Sequence, residues 1–185
     1  MKFGLLNKIK YAQYFVAILA FSLVQPVFAN EASVIKAAFI EKLSRFIEWP
    51  DKNATIQQQS NFLLCVIDQD TLDGALDDLA EASSIKNQPL RIQYLNHAED
   101  AKECNALFIS NTMSAKLNDT LLQLDDRPIL TIGDSAEYAK QGVMINFYIE
   151  EGRLSFEVNI EAAKSAGFKI SSRVLKLARI IDGEA

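Results

Sequence analysis

The chain has 185 residues, 19 Lys and Arg against 24 Asp and Glu, a net charge of −5, two cysteines and a single histidine. The acidic balance repels a phosphate backbone and weighs against general nucleic-acid binding. One His and two Cys leave too few ligands for a zinc centre, and the length suits one domain with its own core.

The first element is an address. Lys2, Lys8 and Lys10 precede an apolar run at residues 14–24 (YFVAILAFSLV), then Pro26 and the small-residue ending Val27-Phe28-Ala29. A charged start, a short apolar core and Ala at the cut describe a secretory signal. The core is shorter than the ~20 residues of a spanning helix, so cleavage is expected after Ala29. The remainder, residues 30–185, is expected to form one domain. Without the three leader lysines its charge falls to −8. No later segment is apolar enough to span a bilayer, so a soluble, exported protein is expected.

Ser33 caps an expected helix that runs to about residue 48, with Ile35, Phe39, Leu43, Phe46 and Ile47 as its buried stripe. Trp49-Pro50 ends it, because a residue before Pro avoids the helical region. Residues 51–61 read as a polar loop. The continuous apolar run at residues 62–67 (FLLCVI) fits a strand buried on both faces. Leu72, Ala75, Leu76 and Leu79 fit an amphipathic helix. Strands are expected at residues 90–95, 106–110 and 129–132, with helices near 98–103, 114–124 and 136–140.

The pattern then changes. Residues 143–149 and 153–160 flank Glu150-Glu151-Gly152 as a hairpin. In the second arm Leu154, Phe156 and Val158 share one face, and Ser155, Glu157 and Asn159 the other. A last helix is expected at about residues 171–181, with Ile170, Val174, Leu177 and Ile181 as its stripe. Buried strands alternating with helices, then a hairpin, imply an α/β three-layer sandwich whose mixed sheet is mainly parallel.

An exported pair of cysteines, Cys65 and Cys104, is expected to bond; two separate buried thiols are the alternative. His97 lies in Asn96-His97-Ala98-Glu99-Asp100 and reads as a solvated or capping residue. Asp68-Gln69-Asp70 with Asp73-Gly74 echoes a calcium loop but lacks the full ligand set. There is no G-x-G-x-x-G or Walker loop. Asp134 and Ser135, in Gly133-Asp134-Ser135 after a buried strand, are candidate small-ligand residues; a helix cap is the plainer reading. A hydrolase would need Ser110, Ser135 or Asp134 to act without an obvious base, so no enzyme is expected. Glu150 and Glu151 at a hairpin tip read as solubilising.

Binding features stand out more. Lys169, Arg173, Lys176 and Arg179 recur at spacings of 4, 3 and 3, a basic stripe on the expected last helix. It reads either as a solvated face or as a docking surface for an acidic partner. Phe147 and Tyr148 lie on opposite faces of the hairpin, so one faces outward as an anchor, and Glu157 is a rim or ion-pair candidate.

Four stretches together resemble the YfiR family of periplasmic regulators of membrane diguanylate cyclases. They are residues 34–50 (VIKAAFIEKLSRFIEWP), FLLCVI with Cys65 followed by ECNALFIS with Cys104, residues 127–135 (RPILTIGDS), and residues 142–181. The resemblance implies a Rossmann-like α/β sandwich in the periplasm. It also implies an inhibitory contact with the periplasmic sensor domain of an inner-membrane diguanylate cyclase, which lowers cyclic di-GMP and biofilm formation. An outer-membrane lipoprotein partner and a homodimer are implied as well, and no cofactor. Cys65 and Cys104 match a structural disulfide of the family. Some relatives carry a second cysteine pair near the hairpin; this chain lacks it, so redox switching there does not carry over. The alternative reading is a periplasmic small-ligand sensor module.

Overall fold

Continuous apolar strands need cover on both faces, and the chain supplies it from two sides. The computed structural model describes residues 28–50, 60–68, 72, 74–124 and 127–182. The expected leader therefore lies almost wholly outside the described residues, as do most of the 51–61 loop and part of the calcium-loop echo.

In chain order the elements are α1 (Phe28–Arg45), β1 (Ile47–Glu48), β2 (Phe62–Ile67), α2 (Ala75–Ala82), β3 (Ser84–Ile85) and β4 (Gln88–Leu95). A 3-10 helix (Ala98–Glu103) leads to β5 (Ala106–Ile109), and a second one (Asn111–Lys116) runs into α3 (Leu117–Gln123). Then come β6 (Leu130–Gly133), β7 (Ile145–Glu150), β8 (Arg153–Asn159), α4 (Ile160–Ser165), β9 (Lys169–Ile170), α5 (Ser172–Leu175) and β10 (Arg179–Ile181).

Eight of these strands form one sheet in the order β10-β8-β7-β6-β5-β2-β4-β3. Pairing is parallel except for β7 with β8 and β3 with β4. Alternation along the central strands divides the core. Leu64, Val66 and Phe108 pack with Ala37 and Ile40 of α1 and Leu76 of α2. Cys65, Leu107 and Ile109 face the other way, onto Ala101, Met113 and Leu117 of the 3-10 helices and α3. The result is a three-layer α/β fold. Cys65 and Cys104 are bonded, their Cα atoms 5.9 Å apart, and tie β2 to the segment entering β5.

Several expectations need correction. α1 begins at Phe28, so Ser33 lies inside the helix rather than capping it. α1 stops at Arg45, and Ile47–Glu48 pairs antiparallel with Lys169–Ile170 instead of continuing the helix. Phe46 O accepts the Ser171 N–H at 3.1 Å, which holds the turn. Of the expected stripe, Leu43 and Ile47 are buried and Phe39 packs against the core, but Ile35 and Phe46 are exposed, and Ala37, Ile40 and Ser44 complete the inner face. Size misled the reading, because two small residues occupy the inner face. The expected last helix is one turn, Ser172–Leu175, after which residues 179–181 extend as β10 beside β8. Pairing satisfies the open backbone edge of β8, and β-branched Ile180 and Ile181 suit a strand. Residues 136–140 form turns rather than a helix, with Glu137 at φ 65°. Finally, α4 had not been foreseen; Asn159 caps it by accepting the Ala162 N–H at 2.8 Å.

Candidate functional site: the hairpin and the sheet edge

The hairpin is built by its turn. Glu151 and Gly152 both take positive φ, 50° and 75°, the two-residue geometry whose twist matches the strands it joins. The register sets Phe147 opposite Phe156 and Tyr148 opposite Ser155. Phe147 is buried, its ring 6.2 Å from that of Phe39 on α1. It is core and offers nothing to a partner, which corrects its place among the surface candidates. Tyr148 is the aromatic left on the outer side.

Pairing of β10 with β8 puts Arg179 beside Glu157. Arg179 Nε and Nη2 donate to Glu157 Oε1 at 3.0 and 2.5 Å. Asn146 Nδ2 donates to the other oxygen at 3.2 Å. The guanidinium carbon sits 4.0 Å from the centre of the Tyr148 ring, a cation–π stack. Glu157 is buried and Arg179 about half exposed. The hydrogen bond to Glu157 is the main reason that the Arg179 pKa stands above its ordinary value. Asn146 Oδ1 is buried and has no partner.

Four residues from three strands are thereby held in one cluster, with Asn146 and Glu157 buried and Arg179 and Tyr148 reaching the surface. Ile149 and Ile180 are also exposed, but strand alternation puts them on the opposite face of the sheet, in line with Phe147 and Val158; Leu177, just after α5, is exposed as well. Arg173 and Lys176 are exposed on and just after α5. Lys169 lies on β9, within reach of Glu48 at 3.9 Å. The four basic residues thus do not line one helix, as expected, but are spread over β9, α5, its C-cap and β10. Sequence reading missed the Arg179–Glu157 contact, because it placed Arg179 on a helix; the alternating polar face of β8 was the only signal available.

The second candidate region lies at the carboxyl end of β6. Asp134 Oδ2 accepts from Lys36 Nζ of α1 at 2.6 Å, with the carboxylate almost fully buried. Its Oδ1 has no partner. Ser135 Oγ is 3.4 Å from Ser114 Oγ, and Ser114 Oγ is 3.1 Å from the Tyr138 hydroxyl. Tyr138 donates to Ser110 O at 2.9 Å and is buried. Burial raises its pKa; Asp134 adds to that, and hydrogen bonds from Ser114 and Ser135 oppose it. A Cβ on Gly133 would come within 2.6 Å of the Tyr138 ring, so glycine is what lets the ring lie across β6. Asp134 ties α1 to the sheet rather than capping a helix. Ser110 is buried, its hydroxyl 2.6 Å from that of Thr112, with no base beside it among the described residues. His97 is exposed at the start of the first 3-10 helix, with no cap bond from its side chain. Among the described residues no group of three or more His, Cys, Asp or Glu could hold a metal ion.

The fold has solved likenesses. A conserved domain protein from Vibrio cholerae O1 biovar eltor superposes with a TM-score of 0.53 at 14% identity over 78% of this chain and 59% of that one. The ABC domain from Streptococcus pneumonia, solved in complex with L-Trp, gives 0.55 at 9% identity over 80% and 60%. The chain thus spans about three-fifths of each, and both bear on the fold alone. The YfiR/HmsC-like family model matches residues 33–179, from the first turns of α1 into β10. The chain belongs to the YfiR/HmsC-like family.

Proposed function

We propose that the chain is a periplasmic inhibitory regulator, exported by a leader cut near Ala29 and working as one domain over residues 30–185. It binds the periplasmic sensor domain of an inner-membrane diguanylate cyclase and thereby lowers cyclic di-GMP and biofilm formation. It acts without catalysis or cofactor, as a homodimer, and an outer-membrane lipoprotein draws it off the cyclase. Family membership supports the pathway. No helix among the described residues is long and apolar enough to cross a membrane.

The observation that carries the binding reading is the hairpin and sheet-edge surface. It offers a half-buried aromatic and a pre-positioned arginine stacked on it, and the same C-terminal stretch exposes Arg173 and Lys176. Interfaces concentrate their energy in such aromatic and arginine anchors, while the exposed charges steer an acidic partner. Phe147 has no part in it. Deleting the gene in a strain that carries the cognate cyclase should raise cyclic di-GMP and surface attachment, and the purified sensor domain should be retained on the immobilised protein. Unchanged cyclic di-GMP together with no retention would overturn the reading.

The orphaned Oδ1 of Asp134 favours a second reading, a sensor module whose ligand donates to Asp134 beside Ser135. Melting-temperature screening of amines and polyols against D134N tests it, since a ligand that binds the native state raises the transition.

A further inference from the structure

A groove of about 890 Å³ opens at the end of β6 opposite Asp134. α3 and α4 with the residues that cap their ends form its walls, through Leu121, Leu124, Ala162 and Ala166, and Ile129 and Met144 its apolar floor. The volume falls in the ordinary range for small-molecule sites, roughly 300–1,000 Å³, which pair an apolar lining with a few placed polar groups.

Arg127 is the one charged residue in that lining among the described residues. Its Nη1 is shut off from solvent and has no hydrogen-bond partner, and no ion pair reaches the side chain among the described residues. A cation part-way out of water without an acceptor is unfavourable, and an entering anion relieves it once the side chain turns Nη1 into the groove. The planar guanidinium fork matches a carboxylate in particular. Thr131 Oγ1 already accepts the Met144 N–H at 3.0 Å, so its own proton remains to be donated. Asn118, Gln141 and Ser165 add amide and hydroxyl groups around the lining. Leu122, 71% exposed, stands at the same lining and has no apolar cover there.

The charge count limits the ligand. One cation, bordered by the carbonyl end of α3, suits a single negative charge better than a phosphate dianion. The acidity of the rest of the chain is screened beyond about 8–10 Å at physiological salt, so the local arginine decides.

We infer that this groove binds a small monocarboxylate with an apolar body, its carboxylate on Arg127 and its hydrocarbon part against Leu121, Leu122, Ile129 and Met144. This site is independent of the partner-binding reading and lies at the other end of the sheet from Asp134 and Ser135.

Octanoate and its uncharged isostere octanamide are the probes, titrated into the purified protein and followed by calorimetry and amide NMR shifts. Octanoate should bind with a Kd of about 1 mM or below, and octanamide roughly tenfold more weakly or worse. R127M should remove that preference and R127K restore part of it. L122E, at an exposed position that tolerates the change, should weaken octanoate several-fold by like-charge repulsion, whatever R127M does to folding. Equal affinity of acid and amide would overturn the inference. So would an acid preference that survives R127M, indifference to L122E, or no saturation by about 10 mM octanoate. Octanoate binding that fades as protein concentration rises would mean that a second copy fills the groove, and would overturn it as well.

Discussion

Arg179 stacks on Tyr148 at 4.0 Å while its fork donates to Glu157, so one side chain joins the sheet edge to the hairpin. If this cluster is the docking surface, R179E should weaken binding to the cyclase sensor domain by tenfold or more, roughly the size of a hot-spot loss. The half-exposed ion pair contributes only about 1 kcal/mol or less to stability, so the melting temperature should move by a few degrees at most. R179K keeps the charge without the planar fork and should fall between the two. Wild-type affinity in R179E, measured by calorimetry, would remove the cluster from the interface.

The Cys65–Cys104 bond closes a loop of sequence separation 39 around two fully buried sulfurs. Loop entropy gives it about 4 kcal/mol as an upper value, and 2–4 kcal/mol is typical. C65S should therefore lower the melting temperature by roughly 5–15 °C while leaving partner affinity near wild type, because β2 lies four strands from β8 in the sheet order. Calorimetric melts with and without reductant check this. A melt indifferent to both the substitution and the reductant would mean that the bond is absent in solution.

Legibility in the sequence followed locality. Phe62–Ile67 was readable to the residue, since a strand buried on both faces leaves an unbroken apolar run. The hairpin was readable from Gly152 and the alternation that follows it. The C-terminal stretch was not. Ile170, Val174, Leu177 and Ile181 satisfy helical spacing, and only the open edge of β8, some twenty residues back, turns residues 179–181 into a strand. The site inherits that error: Tyr148 and Glu157 were visible as outward candidates, but their partner Arg179 depends on a non-local register. Lys36 was invisible for a related reason, because periodicity gives the face of α1 but not the carboxylate lying across from it.

Lys36 and Asp134 link α1 to the end of β6 across 98 residues at 2.6 Å. Breaking one side of a buried pair costs more than removing both. K36M should destabilise the fold by about 2–4 kcal/mol, and the K36M/D134L double variant by less than the sum of the singles, with a coupling of about 1–3 kcal/mol. Urea unfolding of the four proteins measures it. A coupling below about 0.5 kcal/mol would show that the contact is incidental to stability.

Tyr138 gives a pH-dependent test. Its hydroxyl donates to Ser110 O, and burial holds its pKa above 10. The fold therefore favours the neutral phenol. That stabilisation is complete below the unfolded-state pKa of about 10 and is lost as pH rises through the higher native value. Y138F removes both the hydrogen bond and the titration. At pH 8 it should be less stable than wild type by about 1 kcal/mol, the usual net value of one hydrogen bond. As pH climbs past 10, wild type should lose stability to the alkaline side faster than Y138F, and the gap should narrow or reverse. Urea midpoints at pH 8, 10 and 11 decide it: a constant difference across that range would mean that Tyr138 titrates alike in the folded and unfolded chains.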